Sequence, residues 1–367
     1  MSIWTRRSGR SLTRTGKRSA SCGACAFTST ATEGSGADRR GCAARTLQAG
    51  RGLTGPRPFF VSAFLLPSFF GTFNTVNLRS VFPPMPTPFR DGEVDTCAIR
   101  KNVRRWIAAG LGGIVALGTN GEAVLLGEDE SQGVVEAVRA EVPHDRALIA
   151  GAGHESTRAT IAAARRLASA GADAVLVKTP HTYRTQVPVS GLVAHYTAVA
   201  DASPVPVLLY NFPASTGVNL APETVGRLAA HPNIVGMKET STDGAQFADL
   251  SAIVPDSFTI LCGAAPGVFA ALCAGAKGAI TAVSAVMPEA CLEMLELVRA
   301  GRYDEALAIQ HRITPLARAV TTGFGIPGLK AALEMAGFTC GDPRPPLAPL
   351  AADARERIRT LLDATRS

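Results

Sequence analysis

Two lysines stand at the ends of short apolar segments, where a buried amine could take part in chemistry. Lys178 ends the segment AVLVK and Lys238 follows IVGM, and the chain has six lysines in all. Burial disfavours the charged ammonium, so the free amine of such a lysine can attack a ketone and form a Schiff base. The ordinary alternative is a buried stem whose charge reaches solvent or pairs with an acid. The residue types alone do not separate Lys178 from Lys238.

Other polar residues follow apolar segments in the same way. The loop GTNGEA holds Thr119 and Asn120 between glycines. Its backbone N–H groups could bind a carboxylate or a phosphate, or it could be an ordinary turn, and it lacks the G-K-[ST] end of a Walker loop. Tyr210 ends VLLY and could relay protons if Thr119 orients it, although a packed tyrosine with a tethered hydroxyl is the commoner case.

The loop KTPHTYR follows another apolar segment and carries His181, Tyr183 and Arg184. A lone histidine in such a loop is usually structural. The loop has no second histidine or carboxylate at metal-ligand spacing, so we predict no metal site there.

Short apolar segments alternate with amphipathic ones from about residue 80, and this alternation predicts strands followed by helices. Eight strand–helix units in a row predict an α/β fold, a (β/α)8 TIM barrel over residues 79–300, with a C-terminal helical region over 301–367. The active-site face of such a barrel is formed where the strands end, so the residues above are expected to meet there. The predicted strand ends are Pro84, Leu117, Ala150, Val177, Tyr210, Met237, Cys262 and Ala282.

The positive charge of the chain belongs to its first residues. Residues 1–78 carry eleven basic and two acidic side chains, a net charge of +9, whereas the rest carries 26 basic and 28 acidic ones, a net charge of −2. This distribution excludes nucleic-acid binding by the body of the protein. We predict that residues 1–78 are a disordered basic extension or a targeting segment, and that the apolar run at 59–70 is too short to span a membrane. Scattered cysteines favour the cytoplasm, or the mitochondrial matrix if the extension is a transit peptide.

Four loops together resemble those of the dihydrodipicolinate synthase / N-acetylneuraminate lyase family. They are GTNGEA, TPHTYR, YNFPASTG and NIVGMKETSTD, and the resemblance covers residues 80–350. It implies a class I pyruvate aldolase or lyase on a (β/α)8 barrel with a C-terminal helical extension. Such an enzyme requires no metal or organic cofactor, because the iminium formed on lysine is the electron sink.

The resemblance also implies roles for individual residues. Lys238 matches the Schiff-base lysine, Tyr210 the tyrosine that shuttles a proton, and Thr119 the hydroxyl residue that links this tyrosine into a proton relay. Asn120 and the amides beside it match the grip on the pyruvate carboxylate. Ile280 matches a residue whose backbone carbonyl lines the site.

The chain departs from the family at three positions. Lys178 stands where the family usually has an apolar residue, so the resemblance favours the other lysine as the nucleophile. Ser215 stands where synthases of the family have an arginine that holds the carboxylate of the aldehyde partner, and the bidentate contact is lost without a guanidinium. Arg184 is a candidate replacement for it. Thr182 stands where the family places a tyrosine that reaches into a neighbouring subunit, so either the loop shifts by one residue to present Tyr183 or the relay is altered.

We therefore predict an enzyme that forms or cleaves a carbon–carbon bond to pyruvate, with a small keto acid and an aldehyde as its partners. Several stretches, including GFGIPGLK, are most similar to 4-hydroxy-2-oxoglutarate aldolases, which implies cleavage to pyruvate and glyoxylate. One alternative is 4-hydroxy-tetrahydrodipicolinate synthase, which condenses pyruvate with aspartate semialdehyde. Another is a non-catalytic keto-acid-binding protein, although such a protein needs no proton relay. The family implies a homotetramer, a dimer of dimers.

Overall fold

Runs of branched apolar residues without polar alternation form strands that are covered on both faces. The computed structural model describes residues 76–366. The strands of the main sheet are β1 (Val81–Phe82), β4 (Gly113–Ala116), β5 (Ala147–Gly151), β6 (Ala174–Lys178), β7 (Val207–Asn211), β8 (Ile234–Glu239), β9 (Thr259–Cys262) and β10 (Gly278–Ile280). A small hairpin, β2 (Phe89–Arg90) and β3 (Glu93–Val94), follows the first strand.

The main sheet is a closed parallel barrel. Its eight strands follow the order β1-β10-β9-β8-β7-β6-β5-β4. The circle closes where Pro84 bridges Val115 in parallel, with the Met85 N–H donating to the Val115 carbonyl at 2.9 Å. The predicted (β/α)8 barrel is therefore confirmed.

Amphipathic helices surround this barrel, and side chains of the sequence fix where some of them begin. Ser156 and Asp243 accept hydrogen bonds from backbone N–H groups in the first turns of the helices Thr157–Ser169 and Gly244–Ile253. The helices are α1 (Thr96–Ala108), α2 (Glu128–Arg139), α3 (Thr157–Ser169), α4 (Val189–Ala202), α5 (Pro213–Thr216), α6 (Pro222–Ala229), α7 (Gly244–Ile253), α8 (Val268–Cys273), α9 (Ala282–Val286) and α10 (Pro288–Arg299). The C-terminal helical segment contains α11 (Tyr303–Arg318), α12 (Gly325–Met335) and α13 (Ala352–Arg366), with a π-helical turn at Ala319–Gly323.

Every second residue of a strand points into the barrel, and these inward residues stack in layers. The last layer, at the mouth, consists of polar side chains. Leu176 and Leu208 belong to the apolar cluster inside the barrel. Two residues further along the same strands, Lys178 is paired with Tyr210 across β6 and β7, and Tyr210 is paired with Lys238 across β7 and β8. The register thus brings three functional side chains to one level.

Some boundaries differ from the sequence prediction. Strands β6 and β8 continue through their lysines, because these side chains occupy inward positions of the pleat. Ala282 begins a helix, and the last strand ends at Ile280. The predicted extension, residues 1–78, lies outside the described residues except for its last three. Among residues 76–366 no helix is long and apolar enough to cross a membrane.

Candidate active site

Thr119, Tyr210 and Lys238 meet at the mouth of the barrel. The Lys238 amine donates to the Tyr210 hydroxyl at 3.4 Å and lies 4.4 Å from the centre of its ring. The hydroxyls of Thr119 and Tyr210 are 3.3 Å apart. Lys238 is 6% exposed and Tyr210 4%, whereas Thr119 is exposed at the mouth. A continuous line of polar atoms therefore runs from the surface to a buried amine.

The loop that carries Thr119 has a strained backbone on both sides. Leu117 and Glu122 have φ values of 55° and 56°, in the left-handed region that non-glycine residues rarely occupy. Each such residue costs about 1–3 kcal/mol and persists only where its surroundings hold it. Gly151 lets the backbone of Leu117 approach closely, because a Cβ at position 151 would lie only 2.0 Å from the Leu117 carbonyl oxygen. The strain indicates that the loop is held in one conformation by the rest of the fold.

A buried ion pair supplies part of that restraint. Glu122 Oε1 lies 2.7 Å from the Lys330 amine, and both side chains are almost fully buried. Glu122 Oε2 accepts the Arg344 N–H at 2.8 Å, and the Arg344 guanidinium pairs with Glu130, whose pKa it holds below the ordinary value. Burial lowers the pKa of Lys330, and the neighbouring carboxylate opposes this effect. We call the contacts of Glu122 with Lys330 and Arg344 the C-terminal clasp.

A second buried carboxylate fixes the end of β8. Glu239 is fully buried and accepts hydrogen bonds from the side chains of Asn211 at 2.7 Å and Gln246 at 2.8 Å, and from the Ser241 N–H at 2.6 Å. Burial raises the pKa of Glu239, and these donors work in the opposite direction. Because Asn211 follows the tyrosine and Glu239 follows the lysine, this contact ties together the strand ends that carry both side chains.

A cavity of about 670 Å³ opens beside these residues. This volume lies in the range that small-molecule sites commonly occupy. Thr119 and Tyr210 line it, so the polar line described above faces the cavity. Other lining residues include Glu122, Lys178, His181 and Ser215.

The other predicted residues differ in their burial and in whether they line the cavity. Asn120 is half-buried in the Thr119 loop, and Ile280 is fully buried as the last residue of β10. Ser215 lines the cavity from α5. Arg184 packs its side chain against the same segment, because a Cβ on Gly217 would lie 3.0 Å from its Cδ.

Tyr183 is not among the residues that meet at the barrel mouth. Its side chain is 65% exposed on the surface. The neighbouring Thr182 is also exposed, and its N–H donates to Glu155 at 2.8 Å. The chain on its own therefore brings neither residue into contact with Tyr210.

Sequence reasoning missed four residues that support the site. Glu122 and Lys330 form the ion pair of the C-terminal clasp, and Asn211 and Glu239 join the strand ends. A signal was present for three of them, because each lies in or directly beside a loop that the chemistry had already marked. Lys330 had its rarity and its place at the end of GFGIPGLK as signals, and nothing in the local sequence pointed to its partner.

Comparison with known proteins gives a consistent picture. Residues 77–365 match the dihydrodipicolinate synthetase family. The chain is 38% identical over 282 residues to a 4-hydroxy-tetrahydrodipicolinate synthase from Exiguobacterium sp., covering 76% of this chain and 95% of that one.

Solved structures agree with this match. The fold is similar to a monomeric dihydrodipicolinate synthase variant, with a TM-score of 0.77 and 30% identity over 81% of this chain and 99% of the other. It is also similar to a prophage protein of the dihydrodipicolinic acid synthase family from E. coli K12, solved in complex with pyruvate. That match has a TM-score of 0.74 and 29% identity over 78% of this chain and 98% of the other.

Proposed function

The chain belongs to the dihydrodipicolinate synthetase family and is an enzyme of the class I pyruvate-aldolase type, and we propose that Lys238 is its Schiff-base nucleophile. The observation that carries this proposal is the buried Lys238 amine, 3.4 Å from the Tyr210 hydroxyl at the active-site face of the barrel. An amine with a proton relay beside it is the arrangement that covalent catalysis on a ketone needs.

The reaction proceeds in four steps. The Lys238 amine attacks the carbonyl carbon of pyruvate, and loss of water leaves an iminium. Loss of a proton from the methyl carbon gives an enamine, and this carbon attacks the aldehyde to form the new bond. Tyr210 transfers the protons, exchanging them with solvent through Thr119, and attack of water on the product iminium releases the product and frees the lysine. Asn120 and the neighbouring N–H groups hold the pyruvate carboxylate.

The comparisons favour the synthase reaction, in which pyruvate condenses with aspartate semialdehyde as the aldehyde partner. Similar chains, including the one from Exiguobacterium sp., are named 4-hydroxy-tetrahydrodipicolinate synthases. Cleavage of 4-hydroxy-2-oxoglutarate to pyruvate and glyoxylate is the second candidate. The observation behind this second candidate is Ser215, which stands where synthases of the family have an arginine and cannot form the bidentate contact of that arginine with the carboxylate of aspartate semialdehyde.

Borohydride reduction in the presence of pyruvate, followed by peptide mass mapping, tests the role of Lys238. We expect a pyruvyl adduct on Lys238 in the wild type and none in a folded Lys238→Ala variant. Lys277→Ala is the matched control, because Lys277 is exposed and directly precedes β10, at the opposite end of the barrel from the mouth. An adduct on another lysine, or full turnover by folded Lys238→Ala, would overturn the assignment.

Two assays separate the candidate reactions. Production of 4-hydroxy-tetrahydrodipicolinate from pyruvate and aspartate semialdehyde is followed with a coupled reductase. Release of glyoxylate from 4-hydroxy-2-oxoglutarate is followed with a coupled dehydrogenase. The reaction with the higher kcat/KM is the better description of the enzyme, and activity in neither assay would refute both.

The assembly we propose is a homotetramer built from dimers, in which the exposed Tyr183 loop reaches a neighbouring subunit. Val124, which is 86% exposed, lies in the segment that follows Thr119 and provides a second apolar contact. One similar structure is a monomeric variant, so the state needs a direct measurement. Sedimentation of the wild type and of Tyr183→Ser gives it, and a monomeric, fully active wild type would contradict the proposal.

A further inference from the structure

Lys178 is a second lysine at the mouth of the barrel, and the reaction described above does not use it. It is the last residue of β6, is half-buried and lines the cavity. In the register it stands on one side of Tyr210, and Lys238 stands on the other. Adjacent strands lie about 4.8 Å apart, so the backbones of the two lysines are roughly 10 Å from each other.

The other basic side chains that line the cavity have carboxylates beside them. Arg166 forms an ion pair with Glu128, and His154 lies near the same carboxylate. His181 lies 2.9 Å from Glu155. Glu155 also accepts the backbone N–H of His181, which holds this loop in place. None of these groups offers an unpaired positive charge to a ligand.

Lys178 differs from them because its side chain has no hydrogen bond or ion pair with any residue in the part of the chain from 76 to 366, although its backbone is paired with β7. A half-buried ammonium without a counter-charge is costly, and an anion in the cavity would relieve that cost. The backbone of Lys178 is held by close packing, because a Cβ on Gly153 would lie only 2.6 Å from the Lys178 backbone nitrogen. The side chain therefore starts from a defined point on the cavity wall.

Pyruvate brings only one carboxylate, and the proposed function, on which this inference rests, assigns it to the Thr119 loop. We propose that Lys178 is a specificity-determining residue that binds the carboxylate of the aldehyde partner. The substrate class is then an aldehyde that carries a carboxylate. Ser215 lines the same cavity and leaves Lys178 as the cation available there.

A lysine at this position also predicts how selective the site is. An ammonium is a point charge on a flexible stem, whereas a guanidinium binds a carboxylate through two fixed hydrogen bonds. Lys178 can therefore follow carboxylates at different distances from the aldehyde carbon. We expect the enzyme to accept both glyoxylate and the longer succinate semialdehyde, and to prefer each to an uncharged aldehyde of similar length.

The test compares wild type, Lys178→Met, Lys178→Gln and Lys178→Arg, with Lys277→Met as the control at an exposed lysine. Each protein is first reduced with borohydride and pyruvate to measure the adduct on Lys238. Condensation with pyruvate is then measured for glyoxylate, succinate semialdehyde, acetaldehyde and butyraldehyde. Two uncharged variants are used in case one of them does not fold, and circular dichroism shows whether each variant is folded.

The proposal expects the Lys238 adduct in all these proteins. The preference in kcat/KM for carboxylate-bearing over uncharged aldehydes should fall about 10- to 100-fold in the Met and Gln variants, the effect of one charge-assisted hydrogen bond. Lys178→Arg should retain most of the preference.

Three results would overturn the proposal while leaving the role of Lys238 intact: an unchanged preference, equal losses with both kinds of aldehyde, or a wild type that prefers uncharged aldehydes. Loss of the adduct only in the Lys178 variants would assign Lys178 to pyruvate and overturn it too. Absence of the adduct in the wild type would instead refute the proposed function itself.

Discussion

The C-terminal clasp should be essential for both stability and the shape of the pyruvate site. We consider Glu122→Gln and Lys330→Met, made separately and together. Each single change leaves the other group buried with its charge unbalanced, because both side chains are almost fully buried and their charged atoms are only 2.7 Å apart. The double change removes both charges at once.

The expected magnitude follows from these contacts. Coulomb's law with an effective dielectric constant of about 20 gives roughly 6 kcal/mol of attraction at the 2.7 Å separation. Desolvation of the two ions offsets much of this attraction, so removal of one partner should cost about 3–5 kcal/mol of unfolding free energy. The double variant should cost no more than the worse single one, which corresponds to a coupling of at least about 3 kcal/mol.

Urea unfolding followed by circular dichroism measures the four proteins of this cycle. The matched control is Glu296→Gln, which breaks the exposed pair with Arg299 and should cost less than about 1 kcal/mol. The KM for pyruvate is measured in parallel, and it should rise in both single variants, because Glu122 restrains the loop that carries Thr119.

Simple addition of the two single costs in the double variant would contradict this coupling, since the two charges would then not depend on each other. A single change that costs no more than the exposed control would contradict the expected magnitude. A normal KM for pyruvate in a destabilised variant would keep the energetic part and refute the link to the loop.

Three further predictions concern single side chains. Tyr210→Phe should lower kcat by at least about a hundredfold while the pyruvyl adduct still forms. The control Tyr196→Phe removes a buried hydroxyl bound to a backbone carbonyl of β6 and should keep wild-type kcat. Equal kcat values in the two variants would refute the relay. Gly151→Ala should lose about 1–3 kcal/mol in urea unfolding, because its Cβ would meet a carbonyl oxygen, while Gly133→Ala, with open space around it, should lose nothing. Because the pKa of Glu130 is lowered from 4.5 in the folded state, its stabilisation should be complete above pH 4.5 and disappear as the pH falls through the folded value; a stability difference between wild type and Glu130→Gln that is constant with pH would contradict this.

The barrel could be predicted from the sequence because its strands are short, continuous apolar runs separated by amphipathic helices. The same pattern placed Tyr210 and Lys238 at the mouth, where the amine and the hydroxyl lie 3.4 Å apart. The strand ends were less accurate, since a charged residue ends an apolar run in the sequence. Lys178 and Lys238 nevertheless continue their strands, because an inward position at the barrel mouth accommodates a polar side chain.

The clasp could not be predicted, because it depends on contacts between distant parts of the chain. Glu122 and Arg344 are 222 residues apart, and no local periodicity connects them. Lys330 sits in an apolar helix, where a lone lysine is most simply explained by a charge that reaches solvent. Only the folded structure shows that Lys330 turns inward to a carboxylate beside the loop that carries Thr119.

The clasp also has a consequence for the order in which this enzyme becomes active during its synthesis. Glu122 leaves the ribosome 222 residues before Arg344, so the loop with Thr119 lacks its restraint while the eight strands are being made. Contacts between residues so far apart in the chain require a long loop to close, and this entropic cost slows their formation. We expect nascent chains that end before Arg344 to contain Thr119, Tyr210 and Lys238 and still bind pyruvate poorly.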